Sequence, residues 1–322
     1  MQARKALTRP PRFATLLATA LFLLVGCGAP PTPVALPEWP APPSDDTAVR
    51  LGVQGYEPAG WGSKALARAL SENDLAVAMG TFRTNYGHAI ESQAANIALT
   101  ARRLAGTVVQ PGEEYSMNRA LGPYDRAHGY GLGRMFVGDR IVPSIGGGVC
   151  QVASTLYNAV MLAHLPVSER HQHGLTVPYL PAGQDATVTV SAGLDFRFVN
   201  DEPYPILIWA DTLPGRWLRI TIWGRATPPA LHWEHQVSEE YPVRTVTLSQ
   251  LPAGLPKDWL GERDADGRRL IAPGQSGVRV HSWAVYEYEV PATGGQARQE
   301  RIDLGEHVYR ASPRMIYAPQ VP

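Results

Sequence analysis

The sequence predicts an α+β fold: a mixed domain of helices and antiparallel strands, followed by a small β-rich domain. Apolar residues at helical spacing mark two helices in the first half, and the apolar period changes to two after residue 186. The segment 228–322 is strand-like over most of its length. Between the two helices, region 122–148 is rich in glycine, which favours a structured loop that leads into the second helix.

The N-terminus has the composition of an export signal. Four basic residues precede the apolar run Phe13–Val25, which is too short for a comfortable membrane-spanning helix of about 20 residues. The run ends in Leu24-Val25-Gly26-Cys27, which resembles a bacterial lipobox and implies cleavage before Cys27 and lipidation of that residue. The sequence therefore predicts an exported lipoprotein of the cell membrane or, since Gly28 rather than Asp follows, the outer membrane. An uncleaved anchor is the alternative.

Composition divides the chain into four parts. These are a signal peptide (1–26), a linker (27–49), the mixed domain (50–226) and the β-rich domain (227–322). The linker is predicted to be an extended spacer, because seven prolines fall within residues 28–44 and each fixes φ and removes a donor. The boundary near 226 is placed by the adjacent prolines Pro228 and Pro229.

The elements of the mixed domain follow from periodicity and turn residues. Helices are predicted over Ala89–Leu104, with Gly106 as a stop, and over Cys150–His164, ended by Pro166. Residues 108–118 predict a strand, a Pro-Gly turn and a second strand. Further strands are predicted at Thr187–Val190, Leu194–Phe198, Ile206–Trp209 and Leu218–Ile222, the last two as a hairpin, and then at 243–249, 278–290 and 301–311.

Charge and motifs exclude several classes of partner. The 29 basic and 29 acidic residues give a net charge of zero, which offers no electrostatic reason to bind nucleic acid. No Lys-Ser/Thr follows the glycines before Cys150, so a phosphate-binding loop is excluded. Cys150 with His171 and His173 is a conceivable zinc set, but the spacing matches no standard zinc module. We therefore expect no cofactor and no metal.

Cys150 is the residue most suited to chemistry. The chain has two cysteines, and if Cys27 carries lipid, Cys150 has no intramolecular partner. Three glycines lead directly into a helix that Cys150 heads. The unpaired N–H groups and macrodipole of a helix start favour negative charge, so the thiol is expected to ionise readily. The same N–H groups are suited to hold an oxyanion.

A base and an orienting carboxylate follow Cys150 along the chain. His171 or His173 is the predicted base, and Asp185 is predicted to orient it, because a cysteine nucleophile needs both. This order is similar to that of transglutaminase-like and papain-like cysteine enzymes, at the level of arrangement only. The residues predicted to contact substrate are Gly146, Gly147, Gly148, Gln151 and Asn118, although helix packing or turn capping also explains Asn118.

The motifs between residues 80 and 225 resemble the VanW family, which is named after an accessory protein of vancomycin-resistance clusters. They are Phe82-Arg83-Thr84, Pro111-Gly112-Glu113-Glu114-Tyr115-Ser116-Met117-Asn118, Gly129-Tyr130, Gly146–Gln151, Ser154–Ala159, Glu169-Arg170-His171, Asp185–Val188 and Asp195–Asn200. The chain departs from the family pattern in two places. Ala153-Ser154-Thr155 stands where Ser-Thr-Thr is usual, and His173-Gly174 stands where His-Ser is usual. The resemblance implies a role in the bacterial envelope and does not imply a settled reaction.

Together these observations predict an envelope lipoprotein with cysteine-dependent chemistry on peptide or amide bonds of peptidoglycan. Its expected partners are the membrane, through the lipid, and peptidoglycan. The alternative is a binding module in which the glycines and the Cys150 helix start hold a carboxylate, such as a stem-peptide terminus, without turnover. A purely structural lipoprotein is a third possibility, so the sequence leaves open whether the protein is an enzyme.

Overall fold

The computed structural model describes residues 63–137, 140–251, 260–261, 267–272, 274–288 and 297–318. The predicted signal peptide, the predicted lipid acceptor Cys27 and the predicted linker lie outside these ranges. Within them helices and antiparallel strands are mixed, and strands dominate the C-terminal part, which confirms the predicted α+β class. Among the described residues, no helix is both long and apolar enough to cross a membrane.

Four α-helices occur in the described part of the chain. They are α1 (Lys64–Glu72), α2 (Glu91–Leu104), α3 (Met117–Leu121) and α4 (Val149–Leu162). Helices α2 and α4 confirm the two helices predicted from periodicity. Helix α4 begins after Gly148, which has φ 106° and so adopts a left-handed conformation that favours glycine. It ends before His164, whose φ of 58° turns the chain towards Pro166.

The strands form several small sheets. In chain order they are β1 (Val77–Asn85), β2 (Thr107–Val109), β3 (Glu114–Ser116), β4 (Leu132–Val137), β5 (Arg140–Ile145), β6 (Val167–Glu169), β7 (Arg197–Val199), β8 (Ile206–Leu213), β9 (Trp217–Gly224), β10 (Ala230–Tyr241), β11 (Thr245–Leu248), β12 (Arg269–Ala272), β13 (Gly277–Tyr288), β14 (Arg298–Tyr309) and β15 (Arg314–Tyr317). The predicted hairpin of Ile206–Trp209 and Leu218–Ile222 is confirmed as β8 and β9.

The sheet that supports α4 has the strand order β1-β9-β8-β2, with every pair antiparallel. Helix α4 packs on β1 and β9, and twelve of its fourteen residues are buried. The helix backbone approaches β1 very closely at Gly80, where an added Cβ would lie 2.2 Å from the carbonyl oxygen of Ala159. Because α4 is held on all sides, its N-terminus is a rigid platform for Cys150.

The glycine-rich region 122–148 leads into α4 through turn residues 146–148, as predicted, and it also contains two strands. Most of it is a hairpin of β4 and β5, paired from Leu132 with Ile145 to Val137 with Arg140. Its glycines allow two backbones to meet, since a Cβ built on Gly133 would lie 2.6 Å from the Cα of Gly147. The hairpin was not predicted, because high glycine density suits a loop and also a hairpin that lies against another backbone.

The strand predicted at Thr187–Val190 is also absent. This segment runs beside the start of α4, and its polar groups pair with side chains and loops instead of a sheet. The N–H of Ala186 donates to Ser154 Oγ at 2.9 Å, and the N–H of Thr187 donates to the carbonyl of His171 at 2.8 Å. An alternating sequence therefore marks an extended segment here, without a ladder beyond one isolated bridge from Thr189 to Leu194.

The C-terminal strands form two three-stranded sheets. One has the order β10-β13-β14 and is antiparallel, and the other, β11-β15-β12, contains the parallel pair β11 and β15. Ala284 and Tyr286 of β13 belong to the same buried cluster as the residues of α4, and the Tyr286 hydroxyl donates to the carbonyl of Met161 at 2.8 Å. The division into two domains near residue 226, between β9 and β10, stays a prediction.

Candidate functional site

Cys150 is the second residue of α4 and therefore lies at the N-terminal end of this helix. Its thiol is partly buried and takes part in no disulfide. The sulfur lies 3.3 Å from Thr187 Oγ1 and 3.5 Å from the carbonyl oxygen of Val188. The extended segment after Asp185 therefore forms one wall beside the thiol.

His173 joins Cys150 to Asp185. Its Nδ1 lies 2.6 Å from Asp185 Oδ2, and its backbone N–H donates to the same oxygen at 2.7 Å. The imidazole is also near enough to the Cys150 thiol that each group shifts the pKa of the other. Because Nδ1 faces the carboxylate, Nε2 is the nitrogen that remains for the thiol. The structure thus brings Cys150, His173 and Asp185 into one series, in which His173 is bonded to Asp185 and interacts with the thiol.

Both carboxylate oxygens of Asp185 accept hydrogen bonds, and only 1% of its side chain is exposed. Besides the two bonds from His173, it accepts a hydrogen bond from the Tyr309 hydroxyl at 2.5 Å and one from Arg170 Nη2 at 3.1 Å, both at Oδ1. Arg170 also donates to the backbone carbonyls of Asp185 and Gly183. A buried carboxylate with these partners stays ionised and cannot rotate freely.

The ionisation of the three groups follows from their mutual contacts. Burial favours the neutral form of Cys150, but the hydrogen bond and charge of His173 outweigh it, and the thiol pKa falls below its ordinary value. Burial also opposes the charged form of His173, yet its bonds to Asp185 and Cys150 raise its pKa. The pKa of Asp185 is lowered against burial by His173 and Arg170. All three shifts favour a thiolate beside an imidazolium.

His171 takes a different direction from His173. Its Nε2 lies 2.7 Å from Glu169 Oε1, and that carboxylate in turn lies 3.2 Å from Arg197 Nε through Oε2. The sequence left both histidines open as the base, and the structure brings only His173 to Asp185 and Cys150. Within the described ranges, no group of three or more His, Cys, Asp or Glu side chains is arranged to hold a metal ion.

The start of α4 supplies hydrogen-bond donors next to the thiol. The first bonds of the helix run from the N–H of Val149 to the carbonyl of Gly146 and from the N–H of Gln151 to that of Gly148. Among the described residues, no protein acceptor pairs with the backbone N–H of Cys150 itself. This N–H lies in the first turn, where the helix dipole also favours negative charge.

The three glycines before Cys150 have structural reasons to be glycine. Gly146 and Gly148 have positive φ values of 80° and 106°. A Cβ on Gly148 would lie 2.9 Å from Ile97 Cγ1, and Gly147 lies against Gly133 in the β4–β5 hairpin. These contacts fix how the chain enters α4. That the same glycines also contact substrate stays a prediction.

Gln151 and Asn118 are both tied to the protein in this structure. Gln151 Nε2 donates to Thr84 Oγ1 and to the carbonyl of Asn85, each at 3.0 Å, and so links α4 to β1. Asn118 Nδ2 donates to the carbonyl of Leu194 at 2.8 Å. That Gln151 and Asn118 also contact substrate stays a prediction.

Three residues that contact the series, Arg170, Thr187 and Tyr309, were not predicted from the sequence. Arg170 and Thr187 lie inside motifs quoted for the family resemblance, next to His171 and two residues after Asp185, so those motifs carried a usable signal. Tyr309 carried none, because it is 124 residues from Asp185 in the chain.

Thiol-dependent acyl-transfer sites, as a class, have a cysteine at a helix start, an imidazole beside it and a carboxylate that orients the imidazole. The described residues Cys150, His173 and Asp185 have this arrangement. Residues 92–223, which contain most of this arrangement, match a family model described as "VanW like protein". The predicted resemblance is thus confirmed, and this region of the chain is VanW-like.

Two curated relatives support the same assignment. Over 137 residues the chain is 40% identical to the uncharacterized protein YoaR of Bacillus subtilis, a match that covers 42% of this chain and 45% of that protein. Over 181 residues it is 26% identical to the vancomycin B-type resistance protein VanW of Enterococcus faecalis, covering 53% of this chain and 63% of that protein. The match therefore spans less than two thirds of either relative.

Proposed function

We propose that this protein cleaves or transfers peptide or amide bonds of cell-wall peptidoglycan with Cys150 as the nucleophile. The observation that carries the proposal is the series of Cys150, His173 and Asp185 at the start of α4, with His173 bonded to Asp185 and close enough to Cys150 to lower the thiol pKa. Such chemistry requires a thiolate, an imidazolium and an ionised carboxylate. The lowered pKa of Cys150, the raised pKa of His173 and the lowered pKa of Asp185 favour these three forms.

In the first step, the thiolate of Cys150 forms a bond to the carbonyl carbon, and the carbonyl electron pair moves onto oxygen. We assign the backbone N–H of Cys150 as a donor to that oxyanion. The imidazolium of His173 then gives its proton to the leaving amine as the C–N bond breaks, which leaves a thioester on Cys150.

In the second step, water or another amine attacks the thioester. His173, now neutral, takes a proton from the incoming nucleophile, and the sulfur departs as a thiolate. The imidazolium and the thiolate are thereby restored. Attack by water gives hydrolysis and attack by an amine gives transfer, and the same residues serve both. Asp185 stays ionised throughout and holds the imidazole in one orientation.

The choice of peptidoglycan rests on the export signal and the relatives. The predicted lipoprotein signal directs the chain to the envelope, where peptidoglycan is the polymer rich in amide bonds. One relative is named a vancomycin B-type resistance protein. The alternative function is a binding module in which the N-terminus of α4 holds a substrate carboxylate. The backbone N–H of Cys150 supports this alternative, because it has no protein acceptor among the described residues. A binding module predicts binding without turnover.

The test is mass spectrometry of a cell-wall digest after incubation with the wild-type chain or with Cys150→Ala. The wild type is expected to produce new fragments or new cross-linked species, and Cys150→Ala is expected to produce none. Ser168→Ala is a matched control, because it removes an exposed hydroxyl that donates to Glu114. Equal products from wild type and Cys150→Ala would refute the proposal, and binding of muropeptides without any product would favour the alternative.

The lipid anchor is a separate part of the proposal, and it concerns a residue outside the described ranges. Changing Cys27 to Ser removes the thiol that accepts lipid, and acyl chains supply most of the membrane affinity of a lipoprotein. We expect Cys27→Ser to move from the detergent phase to the aqueous phase in phase partitioning. Retention of Cys27→Ser in the detergent phase at the wild-type level would mean that an uncleaved helix anchors the chain.

A further inference from the structure

Strand β14, in the C-terminal part of the chain, reaches the carboxylate of Asp185. Tyr309, its last residue, is 1% exposed and donates its hydroxyl proton to Asp185 Oδ1 at 2.5 Å. The direction of this bond is fixed, because the Tyr309 oxygen accepts from the N–H of Gly183 at 2.9 Å. The hydroxyl proton is therefore left for the carboxylate.

The two oxygens of Asp185 have separate partners. Oδ1 accepts from Tyr309 and from Arg170, whereas Oδ2 accepts from the ring and the backbone N–H of His173. A carboxylate bonded at one oxygen alone can turn about χ2. Donors on Oδ1 remove that freedom, and the oxygen that faces the imidazole is then held in place.

We propose that Tyr309 is a positioning residue: its hydroxyl locks Asp185 so that Oδ2 holds His173 against Cys150. The inference rests on the proposed function. It adds a contribution from the part of the chain beyond residue 223, where the match to the family model ends. The VanW-like region would thus depend on β14 for the geometry of its site.

Two effects of the hydroxyl on the thiol have opposite signs. A hydroxyl that merely shares the charge of Asp185 weakens the pull of the carboxylate on the imidazolium, so its removal would strengthen that pull and favour the thiolate. A hydroxyl that positions Asp185 acts the other way. Its removal lets the carboxylate turn, the imidazolium loses its partner, and the thiolate of Cys150 is less favoured.

The experiment measures the rate of alkylation by iodoacetamide against pH in the full chain carrying Cys27→Ser, where Cys150 is the only thiol. Tyr309→Phe is expected to move the inflection of this profile upward by about one pH unit, a tenfold change in the ratio of thiolate to thiol. Tyr286→Phe is the matched control, since its buried hydroxyl donates to the carbonyl of Met161, and its profile should equal that of the parent.

An inflection that stays in place or moves downward in Tyr309→Phe would overturn the inference. If Tyr309→Phe does not fold, Arg170→Lys serves in its place, because it keeps the positive charge and loses the directed bond to Oδ1, and the same upward movement is expected. Failure of the proposed function looks different: the parent itself would then titrate like a free thiol, and His173→Gln would leave its profile unchanged.

Discussion

Replacing His173 with glutamine is expected to slow the alkylation of Cys150 by iodoacetamide at least about tenfold at pH 6. At that pH roughly one in 300 free thiols is ionised, whereas the imidazolium of His173 lowers the pKa of the Cys150 thiol and raises the ionised fraction. Part of this advantage is lost, because a thiolate of lower pKa is a weaker nucleophile. Glutamine approximates the volume of the ring and cannot become a cation, so the change isolates the charge.

His171→Gln is the matched control for this measurement. His171 is two residues away, and its imidazole contacts Glu169 at a similar distance of 2.7 Å, with no contact to Cys150 among its described bonds. The rate in His171→Gln should stay within about twofold of the parent, a change of less than 1 kcal/mol in the barrier. Equal slowing in both variants, or slowing in His171→Gln alone, would contradict the assignment of His173 as the base.

Asp185→Asn is expected to cost about 3–5 kcal/mol in the free energy of unfolding, because it leaves the buried guanidinium of Arg170 without its carboxylate. It should also suppress alkylation of Cys150 at pH 6. An amide Nδ2 in the place of Oδ2 would face two donors of His173, and relief of that clash turns the imidazole into the tautomer that carries its proton on Nε2. Denaturant titration gives the first quantity and iodoacetamide the second.

The chain offers a matched control for this substitution in a second pair of Asp and His. Asp303 lies 2.6 Å from His281 Nε2, the same distance as in the buried pair, but 63% of its side chain is exposed. Water screens an exposed pair, so Asp303→Asn should change the free energy of unfolding by no more than about 1 kcal/mol and leave alkylation of Cys150 unaltered. A loss of stability in Asp303→Asn as large as that in Asp185→Asn would show that burial is not the cause.

Local sequence pattern was sufficient to predict those helices and strands whose structure depends mainly on the residues within the segment itself. The apolar spacing within Ala89–Leu104 and within Cys150–His164 predicted α2 and α4, and the alternation after Pro205 predicted the β8–β9 hairpin. Local pattern did not predict the structure of segments whose conformation depends on contacts with residues far away in the chain. Glycine in β4 serves the approach of another backbone, and the extended segment at Thr187 has its polar groups satisfied by α4 and a loop.

The site shows the same division. Cys150 and Asp185 were identifiable from residue type and order, because nucleophilic chemistry needs a thiol, a base and a carboxylate. The choice between His171 and His173 was not, since two residues so near in sequence differ only in the partners that the fold gives them. Tyr309 was beyond reach of any local pattern, because only the packing of β14 against residues 183–185 brings its hydroxyl to Asp185.

The measurement that tests the central claim most directly is the pH profile of Cys150 alkylation in the full chain carrying Cys27→Ser. If Cys150 is a nucleophile activated by His173, the rate in folded protein should be half-maximal at a pH below the free-thiol pKa of about 8.5. A half-maximal rate at or above about 8.5, or no reaction until denaturant unfolds the chain, would contradict the account.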